Sequence, residues 1–210
     1  MTEKRETDTI VTTYNELSIQ VSLSGLSFCI YNPHTKNIVA LEQHTFPDKQ
    51  HPETITYKLR EYFQENNALQ EPFKKVFLIH NNALSTFVPE ALFSDKNLSD
   101  YLKFNIKILE NDFIAYDALK AHGLMNVYIP YVTVNNFIFE HFGVFEYNHF
   151  STILVNTILS KIPEEEETCM FIHVQKEHFE IVVVKDRKLL LYNTFNYTAK
   201  EDFIYYILFT

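Results

Sequence analysis

The sequence predicts an α/β (α+β) fold in which one supersecondary plan is used twice. Two observations carry this. A meander of three short strands followed by a helix can be read near the N-terminus and again about 150 residues later. Between the two, short apolar runs alternate with segments of helical periodicity, the pattern of successive β–α units. A third observation bounds the chemistry. The 210 residues contain 3 glycines, Gly25, Gly123 and Gly143, and loops that cradle phosphate need glycine for close backbone approach.

The first meander opens with "LSIQVSLSGLSFCIYN". Leu17, Ile19, Val21 and Leu23 alternate with Ser18, Gln20, Ser22 and Ser24, and after Gly25 the alternation resumes at Leu26, Phe28 and Ile30. Period-two alternation is the signature of a half-buried strand. Strands are expected at 17–24, 26–31 and 38–46, with Gly25 adopting positive φ at the first tip and "NPHTKN" as the second turn. Pro52 and Glu53 suit the first turn of a helix whose apolar face is Ile55, Leu59, Tyr62 and Phe63. "KKVFLIHNN" reads as a buried strand. Pro89 opens a short helical turn, and Ser94 or Asp95 caps a helix running to Phe104. "IKIL" predicts a strand and "DFIAYDALKAHG" a helix closed by Gly123. "NVYIPYV" predicts a strand, "TVNNFIFEHFG" a helix ended by Gly143, "VFEYNHF" an extended segment, and "STILVNTILSKI" a helix capped by Ser151 or Thr152.

After the acidic loop "PEEEE" the first plan returns. Strands are expected at 169–175, 178–185 and 188–196, with "KDRK" at a hairpin tip, and "AKEDFIYYILFT" begins a helix. "HTF" ending at Phe46 corresponds to "NTF" ending at Phe195, and "TYKLREYF" to "DFIYYILF". So long a period implies a duplicated lobe rather than a solenoid.

Composition narrows the function classes. Hydrophobic residues make up 46%, enough for a core, and the net charge is −9. No basic stripe interleaved with aromatics is present, which argues against nucleic acid. The polar start "MTEKRETDTI" is no secretory signal, and no apolar run approaches a membrane span. Cys29 and Cys169 make no disulfide framework. A cytoplasmic protein is expected.

A meander, a helix and further β–α units, occurring twice, resemble the plan of the actin-like ATPase fold, a relative of the ribonuclease-H fold. More narrowly, "LSIQVSLSGLSFCIYN", "FVPEALFSDKNLSDYLKFN" and "NTFNYTAKEDFIYYILFT" resemble a bacterial domain-of-unknown-function family, number 3822, found mostly in Bacteroidetes. The resemblance covers most of residues 15–210. It implies an actin-like fold with no assigned activity. It also implies where a nucleotide site would lie, because in actin-like ATPases the first hairpin of each lobe grips the phosphates through an Asp and a neighbouring glycine.

Both grips look dismantled. The first tip, "SLSGLS", keeps Gly25 but has serine (Ser22 or Ser24, depending on register) where a metal-binding carboxylate would stand. The second tip, "VQKEHF", has neither Asp nor glycine, though Glu177 sits at the turn. A vestigial cleft would be lined by Ser22, Ser24, Gly25 and Ser27 from the first hairpin and by Lys176 and Glu177 from the second. No catalytic residue, metal or cofactor is expected. The missing Asp also counts against a two-metal nuclease. The nine histidines form no HExxH, and His173 and His178 read as exposed turn residues. No G-x-S-x-G elbow occurs.

The expectation is a non-catalytic scaffold or binding protein with an unknown protein partner, a second copy of the chain included, and with no nucleic acid and no membrane insertion. The alternative is an active ATPase or small-molecule kinase drawing a carboxylate from Glu177 or Asp112. The expected organisation is a frayed lead at 1–16, a first lobe at 17–162, and the start of a second lobe at 163–210. "DFIYYILFT" stops inside an apolar helix without a cap. A longer protein, or a partner covering an open sheet edge, is therefore expected.

Overall fold

A computed structural model of the chain describes residues 14–163, 167–176 and 178–210. The lead up to residue 13, Glu164 to Glu166 and Glu177 lie outside the described residues. The chain divides into two compact units, one of residues 1–79 and 133–147, the other of residues 80–132 and 148–210.

The first unit is built on the predicted meander: β1 (Glu16–Ser22), β2 (Gly25–Asn32) and β3 (Asn37–Thr45). β4 (Lys75–His80) and β8 (Glu146–His149) complete a five-stranded sheet of order β3-β2-β1-β4-β8. Alternation decides the faces. Leu17, Ile19, Val21, Leu26, Phe28 and Ile30 are buried, while the serines of β1 and β2 and Cys29 lie on the half-buried opposite face. α1 (Ile55–Glu65) buries Ile55, Leu59 and Phe63, and α3 (Val132–Phe142) buries Val134, Phe137 and Ile138. Phe63 meets Phe137 edge-on at 5.1 Å. Gly143, at φ 77°, closes α3 as expected. Pro52 and Glu53 precede α1, whose N-cap position is Thr54.

The second unit holds two three-stranded sheets. One, of order β5-β7-β6, joins β5 (Ser85–Pro89), β6 (Ala115–Leu119) and β7 (Leu124–Tyr128). The other, of order β11-β10-β9, is the second meander: β9 (Cys169–Val174), β10 (His178–Lys185) and β11 (Lys188–Asn196). The "KDRK" tip turns with Asp186 and Arg187 both at positive φ, the backbone of a two-residue hairpin that follows the strand twist. α4 (Phe150–Lys161) buries Val155 and Leu159 with Leu119, Val182 and Val184. α2 (Leu98–Leu102) contributes Leu102 to a cluster with Val88, Ile106, Val127 and Ile129. α5 (Lys200–Phe209) packs Phe203 on Phe179 at 4.7 Å and stacks Tyr206 on Phe195 at 4.5 Å.

The structure departs from the sequence expectation in several places. The segment 112–123 is no helix: it forms β6 and one 3-10 turn at Lys120–His122 before Gly123, at φ 62°. Ala115, Asp117 and Leu119 point inward and alternate with exposed neighbours, so a strand period wins. "IKIL" forms no strand, and β5 is a strand that the sequence does not announce. Gly25 does not have positive φ. Its need for glycine is steric, since a Cβ there would lie 2.4 Å from the carbonyl oxygen of His44 on β3. α4 is capped neither by Ser151 nor by Thr152 but by His149, whose side chain accepts from the Ser151 N–H.

Candidate functional site

At the first hairpin tip the serine hydroxyls and two backbone carbonyls are taken up internally. Ser22 pairs with Gly25 across the turn. The Ser22 hydroxyl donates to the Gly25 carbonyl at 3.1 Å and lies 3.2 Å from the Ser24 hydroxyl. The carbonyls of Leu23 and Ser24 accept from the N–H groups of Gln50 (2.7 Å) and Phe46 (2.9 Å). The tip is thus tied to the chain that follows β3. Ser27 sits in β2 opposite Gln20 and Gln43. These four residues belong to the first unit. Lys176 belongs to the second, exposed in the bend between β9 and β10, and Glu177 lies outside the described residues.

The second hairpin holds a feature that local sequence does not reveal. Glu180, on β10, is 2% exposed. Its carboxylate lies 2.9 Å from His173 Nδ1 and 3.3 Å from His178 Nε2, and accepts from the Gln175 amide at 3.4 Å. The two histidines are therefore not simple turn residues; strand pairing places both rings on one buried carboxylate. Gln175 extends the cluster. Its Oε1 accepts from Asn81 Nδ2 at 3.0 Å. Asp112, the other candidate carboxylate, caps a turn by accepting from the Leu109 N–H at 2.7 Å.

A second polar network fills the space between β6, β7 and the start of α4. Asp117 accepts from Tyr128 Oη (2.9 Å), from the His149 N–H (2.9 Å) and from Thr152 Oγ1 (2.6 Å). Asn126 Nδ2 donates to Ser151 and Thr152 at 2.8 Å each. His149 Nδ1 lies 2.7 Å from Ser151 Oγ, and its Nε2 lies 3.2 Å from Asn82 Oδ1. Burial, with a smaller effect from the nearby His80, pulls the His149 pKa down to about 3, so the ring is neutral at physiological pH. Burial raises the Asp117 carboxyl above its ordinary value, against the pull of its donors. His149 and Ser151 are fully buried, so their short contact is a helix cap and not an accessible nucleophile. Sequence cues for this network are faint: one acid at an inward strand position, and a His-x-Ser at a helix start.

Beside it lies an open pocket of about 600 Å³ lined by residues 83, 85 and 86, by 104 to 106 after α2, and by Tyr192, Asn193 and Thr194 of β11. Among the described residues, no group of three or more His, Cys, Asp or Glu side chains is placed to hold a metal ion. No described helix is long and apolar enough to cross a membrane.

Comparison with known proteins fits this architecture. Residues 4–210 match the family described as "Protein of unknown function (DUF3822)". A crystal structure from Bacteroides thetaiotaomicron, described as a protein with actin-like ATPase fold and unknown function, is 25% identical. It superposes with a TM-score of 0.86 over 97% of this chain and 78% of its own. A structure described as the PilM-PilN type IV pilus biogenesis complex is 13% identical, with a TM-score of 0.53 over 89% of this chain and 62% of its own. No curated protein matches by sequence. The fold is that of the actin-like ATPases.

Proposed function

The chain belongs to the DUF3822 family, and on that premise we propose that it is a non-catalytic, actin-like scaffold or binding protein of the cytoplasm whose ancestral nucleotide site has degenerated. The carrying observation is the first hairpin tip. Ser22 and Ser24 stand where a metal-binding carboxylate is needed, and the tip's hydroxyls and carbonyls are engaged within the chain. A phosphate grip requires free N–H donors and a cation-holding carboxylate aimed at the ligand. At the second hairpin, Glu180 is buried under two histidines and an amide. In this reading residues 17–162 are the first lobe and residues 163–210 open the second.

Exposed apolar side chains support a protein partner. Met170, Phe171, Ile172 and Val174 are exposed on β9, an edge strand of its sheet among the described residues, and Ile204, Tyr205, Leu208 and Phe209 are exposed on α5. The similarly folded chain of the PilM-PilN type IV pilus biogenesis complex is itself part of an assembly.

Calorimetry with ATP, ADP and GTP, with and without Mg²⁺, tests the reading. No saturable heat at millimolar nucleotide is expected. Micromolar binding lost on Lys176→Ala or Ser24→Leu overturns it and favours an ATPase or small-molecule kinase. Affinity capture from the native cell would then identify the partner.

A further inference from the structure

We propose that the open pocket of the second unit is a binding site for an uncharged saccharide. The proposal is independent of the nucleotide reading, because among the described residues neither hairpin tip lines this pocket. Its lining is Ala83, Ser85, Thr86, Phe104, Asn105, Ile106, Tyr192, Asn193 and Thr194. Four of these carry hydroxyls and two carry carboxamides, and none is charged. Each such group can both donate and accept, as does every hydroxyl of a sugar. Among the described residues that line it, an anionic ligand would find no cation, in a protein of net charge −9.

The floor is held in place from behind. Ser85 Oγ lies 3.1 Å from the buried Ser151 Oγ, which lies 2.7 Å from His149 Nδ1. Asn82 holds the adjoining loop: its Oδ1 accepts from the Leu84 N–H at 2.8 Å and its Nδ2 donates to the Ile129 carbonyl at 3.0 Å. Tyr192 Oη lies 3.3 Å from Thr194 Oγ1. Burial pushes the Tyr192 hydroxyl above the usual tyrosine range, so it keeps its proton. Polar groups fixed in advance lower the ordering cost of binding a ligand with many hydroxyls.

At the rim, Phe104 is 82% exposed. Lys103 stands 5.3 Å from the centre of its ring, but that ammonium is paired with Asp100 at 2.8 Å. An exposed aromatic beside neutral hydrogen-bonding groups matches the two faces of a pyranose, with its apolar C–H side and its hydroxyl edge. The volume is in the range of small-molecule sites and accommodates a disaccharide.

Titration of the full chain, followed by amide NMR shifts, tests this with methyl β-glucoside, cellobiose, maltose, glucose 6-phosphate and adenosine as probes. A neutral saccharide is expected to give saturable shifts at Phe104, Asn105 and Thr194. Phe104→Ala with Asn193→Ala, both on exposed positions outside the buried network, should weaken that response about tenfold. Ser85→Ala offers a second variant from the floor. The proposal is overturned if no neutral saccharide saturates the shifts. It is equally overturned if glucose 6-phosphate or adenosine binds as well as the best saccharide, or if the double variant leaves affinity unchanged.

Discussion

The carboxylate of Glu180 lies 2.9 Å from Nδ1 of His173 and is almost wholly buried. Strand pairing sets this up. Glu180 on β10 stands directly opposite His173 on β9, so their side chains share one face of the hairpin. Gln175 then carries the contact on to Asn81. Glu180→Ala removes the common acceptor of three side chains. A cost of roughly 2 kcal/mol in urea unfolding is expected, held below that of a fully buried pair because the histidines can reach water. A shift of the Asn81 side-chain amide resonance should accompany it. An unchanged Asn81 signal would show that the cluster does not reach that far.

Asp117 is the acceptor of the buried network, taking bonds from Tyr128, His149 and Thr152. Asp117→Ala removes the shared acceptor of two hydroxyls and a backbone N–H in the interior. The expected loss is roughly 3 kcal/mol, measured by chemical denaturation, with Asp117→Asn intermediate because its amide cannot accept at both positions.

Two glycines separate sterics from backbone strain. Gly25→Ala places a methyl 2.4 Å from a strand carbonyl, and β3 must move; about 2 kcal/mol is expected. Gly123→Ala meets nothing within 4 Å but keeps φ at 62°, and about 1 kcal/mol is expected. Thermal unfolding of the two variants ranks them, and a larger loss at Gly123 would reverse the argument.

The first meander is legible in the sequence because alternation is strict in β1 and β2, where Leu17, Ile19 and Val21 against Ser18, Gln20 and Ser22 leave one register. The second is legible from short apolar runs, such as Val182 to Val184 and Leu189 to Leu191, separated by tight turns. β6 is not legible, for a reason that also hides the polar network. Ile114, Ala115, Ala118 and Leu119 fall at helical spacing, and Asp117 looks like a solvent-facing residue. In the fold Asp117 points inward, where its carboxylate is met by donors from Tyr128, Asn148, His149 and Thr152, all later in the chain. β5 is hidden by its polar start at Ser85 and by Pro89, which it tolerates at its last residue. The serine-lined tip at Gly25 is legible as a place, but the steric need for that glycine depends on β3, which local sequence does not specify.

The pH dependence of stability follows from His149. Its ring is packed among Asn82, Ser151 and Tyr128, with His80 nearby and Asp117 on its backbone N–H. The folded pKa of about 3 lies below the ordinary value of 6.5, so the unfolded chain binds the proton first. Stability from this residue is complete above about pH 6.5 and is lost as pH falls toward 3. By about pH 4 the loss should be roughly 3 kcal/mol. Asp117 acts with the opposite sign. Its raised folded pKa means that the native state takes up the proton first, so its contribution grows as pH falls through that value. It offsets part of the His149 loss at the acid end. Urea unfolding at steps from about pH 7 to about pH 4 should show declining stability in the wild type. His149→Asn, which keeps an acceptor near the Ser151 N–H but cannot titrate, should show a flatter profile from a lower starting point. Equal slopes in the two proteins would mean that His149 is not the group that responds to acid.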